Sequence, residues 1–309
     1  MANNNQNIKV LQTALLEKLP STRVREQELL CNHTTFKIGG PADLFIEPTT
    51  MAELSFTLRT IHELDVPVTI IGCGSNILVK DGGIRGAVVS VRHMTQIMDR
   101  NENTLCIGSG YMLKDASEFA WENSLSGLEF AIGIPGTLGG AVFMNAGAYD
   151  GEIAHVIESA EIIDEECNIV RLSNKDLDFG YRSSIVMKKG YTVLSAVFKL
   201  EKGQVKTIKE LVDDLTNKRE SKQPLEYPSA GSTFKRPTGY FAGKLIQDAG
   251  LKGYSIGGAA VSEKHSGFVI NKGNATAKDI TDLIKYIQDE VKRQFGVELH
   301  PEVRIIGEE

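Results

Sequence analysis

The sequence predicts an α+β chain in two parts: many short strands up to about residue 204, then a smaller α/β unit over 205–309. Three observations lead there. Short runs of β-branched and apolar residues recur at 66–71, 77–80, 86–91 and three times between 155 and 200, with few helical stretches between them. At residue 205 the chain becomes charged and helical, and helices then alternate with strands. Residues 130–149, FAIGIPGTLGGAVFMNAGAY, are uncharged and dense in glycine, which exposes backbone amide and carbonyl groups and lets another molecule approach closely.

Taken in order, residues 8–19 have helical apolar spacing and stop at Pro20. Thr50 followed by Glu53 reads as a capping box opening a helix to about Leu64. VPVTII, ILVK and GAVVSV read as three buried strands, and 111–125 as a helix with Trp121 on its apolar face. HVIESAEII, NIVRL and TVLSAVFKL are strands. Residues 205–222 form a charged helix, QPLEYPSAG a proline-broken turn, 240–249 a helix closed by Gly250, GFVIN a strand, 278–295 a helix and EVRII a last strand.

A chain of 309 residues with 41% hydrophobic and 24% charged residues is long enough for two or three domains and is not disordered. The net charge of −6 argues against nucleic acid or an anionic membrane as the main partner. Cys31, Cys73, Cys106 and Cys167 form no CxxC pair and have no companion histidine spacing. They read as free thiols in a reducing cytoplasm, with no metal site. MANNNQNIKV lacks the order of a signal peptide, so the expected location is cytoplasmic. No obligate protein partner is evident.

The uncharged stretch could pass for a membrane span on length alone. Gly133, Pro135, Gly136, Gly139 and Gly140 weaken a helix, and no second span follows. Glycine at this density exposes backbone amides on an apolar wall, which suits a large flat ligand; a tightly packed core turn is the alternative. IIGCGSNILV is the second signal. A Rossmann reading fails because Ile77 stands where a third glycine belongs and a strand follows the loop. A phosphate loop before Gly243-Lys244 fails at Thr238 and Leu245. Gly72, Cys73, Gly74, Ser75 and Asn76 can still cradle a diphosphate through successive amides, against the alternative of a tight hairpin. With the glycine bed, the two segments favour a diphosphate-bearing cofactor.

GYRSS sets Arg182 between Tyr181 and small residues, although a lone arginine is usually a surface charge. PSAGSTFKRP places Ser232 on a small-residue turn near Lys235 and Arg236, without a GxSxG elbow. Glu302 lies in the last predicted strand, where alternation would pair it with Arg304 as a structural ion pair.

In order, NHTTFKIGGPADLF, GCGSN, GIPGTLGGAVFMNAGAYDGE, FGYRSS, PSAGSTFKRP, AGKLIQDAGLKG and PEVRIIG resemble the UDP-N-acetylenolpyruvoylglucosamine reductases over about residues 33–307. The resemblance implies a two-lobed FAD-binding domain of the vanillyl-alcohol-oxidase/PCMH type over 1–204, with lobes at about 30–90 and 91–204. A substrate-binding domain follows over 205–309. It implies non-covalent FAD on the GCGSN loop and on the bed, with Asn145 and Gly147 among its contacts, and NADPH as co-substrate. It implies Arg182, Ser232 and Glu302 as catalytic residues and Tyr181, Lys222 and Arg236 as binders of the nucleotide-sugar.

The chain departs from the family in three places. Arg236 stands where other members carry asparagine, and His300 where many carry glutamate. Ser184 runs within a few residues into the next strand, so the chain resembles a short form lacking an inserted tyrosine loop. In the implied mechanism hydride passes from NADPH through the flavin to C3 of the enolpyruvyl group. Arg182 holds the carboxylate, a partly protonated Glu302 supports it, and Ser232 gives a proton to C2. An FAD oxidase of the same fold, or a non-catalytic nucleotide-sugar binder, are the competing readings. A colourless protein would mark the binder.

Overall fold

The computed structural model describes residues 2–95 and 98–309. Packing divides the chain into two units. Met1–Glu26, Asp43–Cys73 and Gly86–Arg219 form the first; Gln27–Ala42, Gly74–Arg85 and Glu220–Glu309 form the second. A cut in sequence at 204 and a division by contact therefore separate different things, because two short N-terminal segments pack with the C-terminal one.

In the first unit, helices α1 (Ala2–Leu16) and α2 (Met51–Glu63) accompany a four-stranded sheet. Its order is Val24–Leu29, Pro41–Ile46, Ile84–Ser90, Val68–Ile71, the last two parallel. Leu11 and Leu15 of α1 and Leu54, Leu58 and Ile61 of α2 share a core with Leu44, Ile46, Ala87 and Val89. Thr50 caps α2 by accepting from the Glu53 amide at 3.1 Å. The Glu53 carboxylate accepts from the amide of Thr49 instead of Thr50, and from both terminal nitrogens of Arg23 at 2.6 and 2.8 Å.

The same unit holds a five-stranded antiparallel sheet in the order Ile169–Ser173, Ile157–Ile163, Thr192–Lys199, Thr104–Gly108, Met98–Asn101. Helices α3 (Leu113–Glu122) and α4 (Leu138–Met144) bury Leu113, Ala116, Ala120, Leu138, Ala141 and Val142 with Ile107, Ile162 and Phe198 of the sheet. The sequence reading had no strand at 24–29, 41–46, 98–101 or 104–108. Val24–Leu29 and Met98–Asn101 are sheet edges; in Val24–Leu29 only Val24 is buried, so apolar alternation never develops. After α5 (Ile185–Lys189) comes α6 (Val205–Lys222), whose Val212 and Leu215 meet Ile132 and Trp121.

The second unit is built on a three-stranded antiparallel sheet (Ser255–Ile256, Ala259–Val261, Val269–Asn271) with α7 (Ala242–Asp248) and α8 (Ala277–Phe295). Ile280, Leu283, Ile284, Ile287 and Val291 recur at helical spacing on α8 and are buried. Each such side chain contributes about 1.5–3 kcal/mol. Thr276 and Asp279 close a capping box at its start, Asp81 accepts from the Ala277 amide at 3.0 Å, and Gly296 ends it with φ of 69°. Arg304–Ile306 runs parallel to Ile77–Val79. Among the described residues no helix is long and apolar enough to cross a membrane.

The Arg23–Glu53 pair makes stability in the first unit depend on pH. The two-point hydrogen bond from Arg23 lowers the Glu53 pKa from 4.5 to about 2. A carboxyl whose folded pKa is depressed adds stability above its unfolded pKa and loses it as pH falls through the folded one. Glu53→Gln should therefore lower Tm at neutral pH, with the gap to the parent narrowing steadily below pH 4.5. A gap independent of pH in thermal melts would mean that the ion pair contributes nothing.

Candidate active site

The GCGSN loop joins two strands that do not pair with each other: Val68–Ile71 lies beside Ile84–Ser90, and Ile77–Val79 beside Arg304–Ile306. The hairpin alternative is thereby excluded. Gly74 has φ of 60°, and a Cβ there would stand 2.3 Å from the His33 carbonyl oxygen. Any side chain would break that approach. Among the described residues, no carbonyl or side chain accepts from the amides of Cys73, Gly74 or Ser75. Burial pushes the Cys73 thiol pKa up, and its Sγ lies 3.3 Å from Met112 Sδ. Asn76 faces the other way, donating from Nδ2 to the Glu302 carbonyl at 3.2 Å and accepting from the Arg304 amide at 3.0 Å.

The glycine bed both packs and presents a surface. Gly136 accepts from the Leu113 amide at 2.9 Å, and Gly139 donates to the Ser109 carbonyl at 2.9 Å. Both glycines are buried, whereas Pro135 and Gly140 are exposed. A Cβ at Gly139 would lie 3.0 Å from that of Ser109, and one at Gly72 would lie 2.2 Å from Thr137 Oγ1. At Gly140 the nearest atom would be Thr137 Oγ1 at 3.5 Å, so this face is open. The core-turn alternative thus describes one side of the segment and the open wall the other.

Gly133 is covered by a residue that the sequence reading missed. A Cβ there would meet Arg219 Cδ at 2.4 Å, so the glycine makes room for the arginine stem. Burial pulls the Arg219 pKa below its ordinary value, and no carboxylate among the described residues pairs with it. The signal was available. Along α6, Lys206, Lys209 and Lys218 each pair with an acid four residues away, whereas Arg219 has Leu215 and Gln223 at those positions.

Asn145 ends α4 in the left-handed region, 1% exposed. Its Nδ2 donates to the Gly180 carbonyl at 3.1 Å, and its Oδ1 accepts from the Ala154 amide at 3.0 Å. Gly180 and Ser183 exchange backbone hydrogen bonds, leaving Tyr181-Arg182 as a two-residue turn with Arg182 at φ 53°. Arg182 Nη2 donates to the Gly147 carbonyl at 3.0 Å, and its guanidinium lies 5.2 Å from the centre of the exposed Tyr181 ring. Ser184 Oγ donates to the Phe143 carbonyl at 2.7 Å and caps α5. The structure therefore joins Asn145, Gly147, Tyr181 and Arg182 in one cluster of the first unit.

In the second unit the segment after Gly231 pairs antiparallel with the approach to the last strand. Phe234 faces Pro301, Lys235 donates to the His300 carbonyl at 2.9 Å, and the Glu302 amide donates to the Thr233 carbonyl at 2.8 Å. This register sets Thr233 opposite the half-buried Glu302, with the exposed Ser232 next along the same segment. The expectation that Glu302 lies inside a strand is corrected. The strand begins at Arg304, and Glu302 sits where the chain leaves residues 233–235 to pair with Ile77–Val79. Lys222 is exposed at the end of α6, and the exposed Arg236 stacks over the Phe241 ring at 4.1 Å.

In the first unit, an open glycine wall with a desolvated guanidinium beside Gly133 suits a flat cofactor carrying a diphosphate, and the unbonded amides of the strand–loop–strand are by themselves donors of the kind a diphosphate takes. Comparison with known proteins gives the same answer. Residues 42–173 match the family model of an FAD binding domain. Residues 223–306 match that of the UDP-N-acetylenolpyruvoylglucosamine reductase C-terminal domain. The chain is 62% identical over 278 residues to the reductase of that name from Clostridium perfringens (strain SM101 / Type A), covering 90% of this chain and 91% of the relative. It is 54% identical over 307 residues to that of Clostridium botulinum (strain Alaska E43 / Type E3), covering 99% and 100%. A solved UDP-N-acetylenolpyruvylglucosamine reductase from Thermus caldophilus superposes with a TM-score of 0.78 at 32% identity, covering 91% of this chain and 99% of that one. With an FAD-binding fold at its centre and similarity along almost its whole length, the chain belongs to the UDP-N-acetylenolpyruvoylglucosamine reductase family of flavin-dependent oxidoreductases.

Proposed function

We propose that this chain uses NADPH to reduce the enolpyruvyl group of UDP-N-acetylglucosamine-enolpyruvate to UDP-N-acetylmuramate, a cytoplasmic step in making peptidoglycan precursor. The observation that carries the reading is Arg182, held in a left-handed turn and tied to the Gly147 carbonyl next to the glycine bed. That conformation costs about 1–3 kcal/mol in a residue with a side chain, so it speaks for a required position. FAD, when bound, supplies a two-electron carrier able to take hydride from NADPH and return it to C3 of the enolpyruvyl group.

The residues proposed to hold the cofactor are Gly72, Cys73, Gly74, Ser75 and Asn76 with Gly133, Pro135, Gly136, Gly139, Gly140, Asn145 and Gly147. Asn145 acts in this set by holding backbone, since its amide is bonded within the protein at both ends. Arg219 joins them as the partner of a diphosphate charge. Arg182 meets the substrate carboxylate in a two-point fork and opposes the negative charge that develops when hydride reaches C3. Glu302 supports the same carboxylate from the point where its strand changes partners. Ser232 delivers a proton to C2, a carbon basic enough in the enolate to take it from a hydroxyl. Lys222, Arg236 and Tyr181, all on exposed turns or ends, receive the nucleotide-sugar. The division of labour, FAD over 1–204 and sugar over 205–309, is part of this reading, with Arg219 reaching to the cofactor and Tyr181 and Arg182 to the substrate across it.

The direct test is an anaerobic titration. The yellow protein should bleach with NADPH and recolour on addition of the enolpyruvyl sugar; a protein that bleaches but does not recolour is an oxidase or dehydrogenase of another substrate.

Gly140→Val tests the bed cleanly, because the protein itself leaves room for a side chain there. The variant should fold with a parental circular dichroism spectrum yet lose flavin, and Arg219→Met should weaken flavin retention as well. Folded variants with full flavin content would remove both assignments.

Arg182→Lys keeps the charge and loses the planar fork. Flavin reoxidation by the enolpyruvyl sugar should slow by roughly 10²-fold or more, on the scale of losing one preorganised donor to a developing charge. A parental rate would leave Arg182 with no part in the chemistry.

Removing a positioned general acid costs roughly 10²–10⁴ in rate, so Ser232→Ala should slow reoxidation by that factor and leave reduction by NADPH nearly untouched. Ser232→Cys should recover part of the loss. Stopped-flow absorbance times the two half-reactions separately, and equal slowing of both would make Ser232 a shaping residue only.

A further inference from the structure

The Ser232 turn is held from behind by a histidine that the proposed chemistry does not use. Ser232 precedes Thr233, which is 2% exposed and makes three main-chain ties: its amide donates to the Gly267 carbonyl at 2.9 Å, its Oγ1 accepts from the Val269 amide at 2.9 Å, and its carbonyl accepts from the Glu302 amide at 2.8 Å. Gly267 is thus one support of the segment that carries Ser232 and pairs through Thr233 with Glu302. Gly267 is itself fixed by His265, whose Nδ1 accepts from the Gly267 amide at 3.1 Å.

The ring has little freedom. The Phe268 ring stands edge-on to it at 4.9 Å, and a Cβ at Gly267 would come within 2.9 Å of its Cε1. A Cβ at Gly243, in the first turn of α7, would lie 3.5 Å from the same atom. Two glycines therefore leave space for the imidazole. Ser262 Oγ accepts from the amides of Lys264 and His265 at 3.1 and 3.2 Å, and the His265 carbonyl accepts from the Phe268 amide at 3.0 Å, which fixes the loop that carries the ring.

A backbone N–H can only donate, so this contact requires a lone pair on Nδ1 and places the ring proton on Nε2. The imidazolium has a donor at both nitrogens and would turn an N–H against the Gly267 N–H.

We propose that His265 is a positioning residue: with Nδ1 unprotonated it holds Gly267, and through Thr233 the Ser232–Glu302 geometry, while its protonation releases that support and slows proton delivery to the substrate. The inference rests on the role given to Ser232 above.

Burial pushes the His265 pKa below the ordinary 6.5, a hydrogen bond with its own backbone opposes this in part, and no neighbouring charge contributes to the shift. The charged groups on the surrounding elements are engaged or exposed. Glu263 lies against Gly253, and Lys264 donates to the Glu220 carbonyl at 2.7 Å. On α7 Lys244 pairs with Asp248. Lys235, Arg236 and His300 are exposed, and Glu302 is half-buried on the segment paired with Thr233. The neutral ring is therefore the form favoured by the fold, and support is lost as pH falls through a value under 6.5.

The test uses the FAD-loaded enzyme and two variants. His265→Asn keeps an acceptor near the position of Nδ1 but does not titrate; His265→Ala removes it. Two readouts are followed against pH: flavin reoxidation by the enolpyruvyl sugar in stopped flow, and the ¹H–¹⁵N shifts of the Gly267 and Thr233 amides.

In the parent, the reoxidation rate should fall on the acid side with the midpoint shown by the His265 ring, and both amides should move with that midpoint. In His265→Asn the neutral-pH rate should stay near parental while that acid limb and the amide titration disappear. In His265→Ala reoxidation should be slower by roughly 10–10²-fold at all pH values, the scale of a misplaced catalytic group, with reduction by NADPH unchanged. An acid limb that persists unchanged in His265→Asn assigns it to another group, and a Gly267 amide that ignores the His265 titration removes the tie; either result overturns the proposal. If the alanine variant fails to fold, the asparagine variant and the amide shifts decide. A parental enzyme that never reoxidises with the enolpyruvyl sugar overturns the reductase reading instead, while the amide titration still judges the tie.

Discussion

The buried side-chain amide of Asn145 is the interaction on which the Arg182 cluster of the first unit depends. One end holds the Gly180 carbonyl, where the Tyr181-Arg182 turn begins, and the other holds the Ala154 amide after the Gly147 hairpin. The Asn145 side of both bonds is buried, and an orphaned buried polar group costs about 1–3 kcal/mol, so replacing the amide would release two segments. Arg182 then adds its own bond to the Gly147 carbonyl, which closes the cluster. A residue that sits at a helix end in the left-handed conformation thus sets the position of a guanidinium 37 residues further along the chain.

The second unit solves the same problem with short polar side chains and main chain bonded to main chain. Asn76 bonds residues 302 and 304, Thr233 bonds 267, 269 and 302, and Glu302 is held at the bend between two pairings. Side chains expected to act on substrate stay on the outside of these ties, and the ties themselves use groups that cannot change conformation cheaply. Charge follows the same economy along α6. Its lysines at 206, 209 and 218 face solvent in i,i+4 pairs worth a few tenths of a kcal/mol each, whereas Arg219 turns inward without an acid. A partly desolvated guanidinium beside an open glycine wall gains most where an anion meets it.

Much of this was legible in the residues themselves. Glycine and proline density argued against a membrane helix, Ile77 and the strand after it argued against a Rossmann loop, and the order of the motifs matched one family along the chain. Helices with strong caps and clear periodicity, such as α2 and α8, fell within a few residues of their expected bounds. Edge strands such as Val24–Leu29 did not, because a strand with one buried residue carries no pattern to read.

What the sequence determined by itself is local: where a side chain is forbidden, where a helix starts, which residue types are present for anion binding and proton transfer. Those properties depend on neighbours within a few positions, so spacing records them. Tertiary structure alone decided the rest. The two strands around GCGSN pair elsewhere instead of with each other, so the loop is not a hairpin. Asn145 turns its amide into the protein, Arg219 reaches Gly133 from 86 positions away, and Glu302 falls just before its strand. Each outcome is a contact between residues far apart in the chain, and the free energy that selects it comes from burial and hydrogen-bond partners that no local window contains.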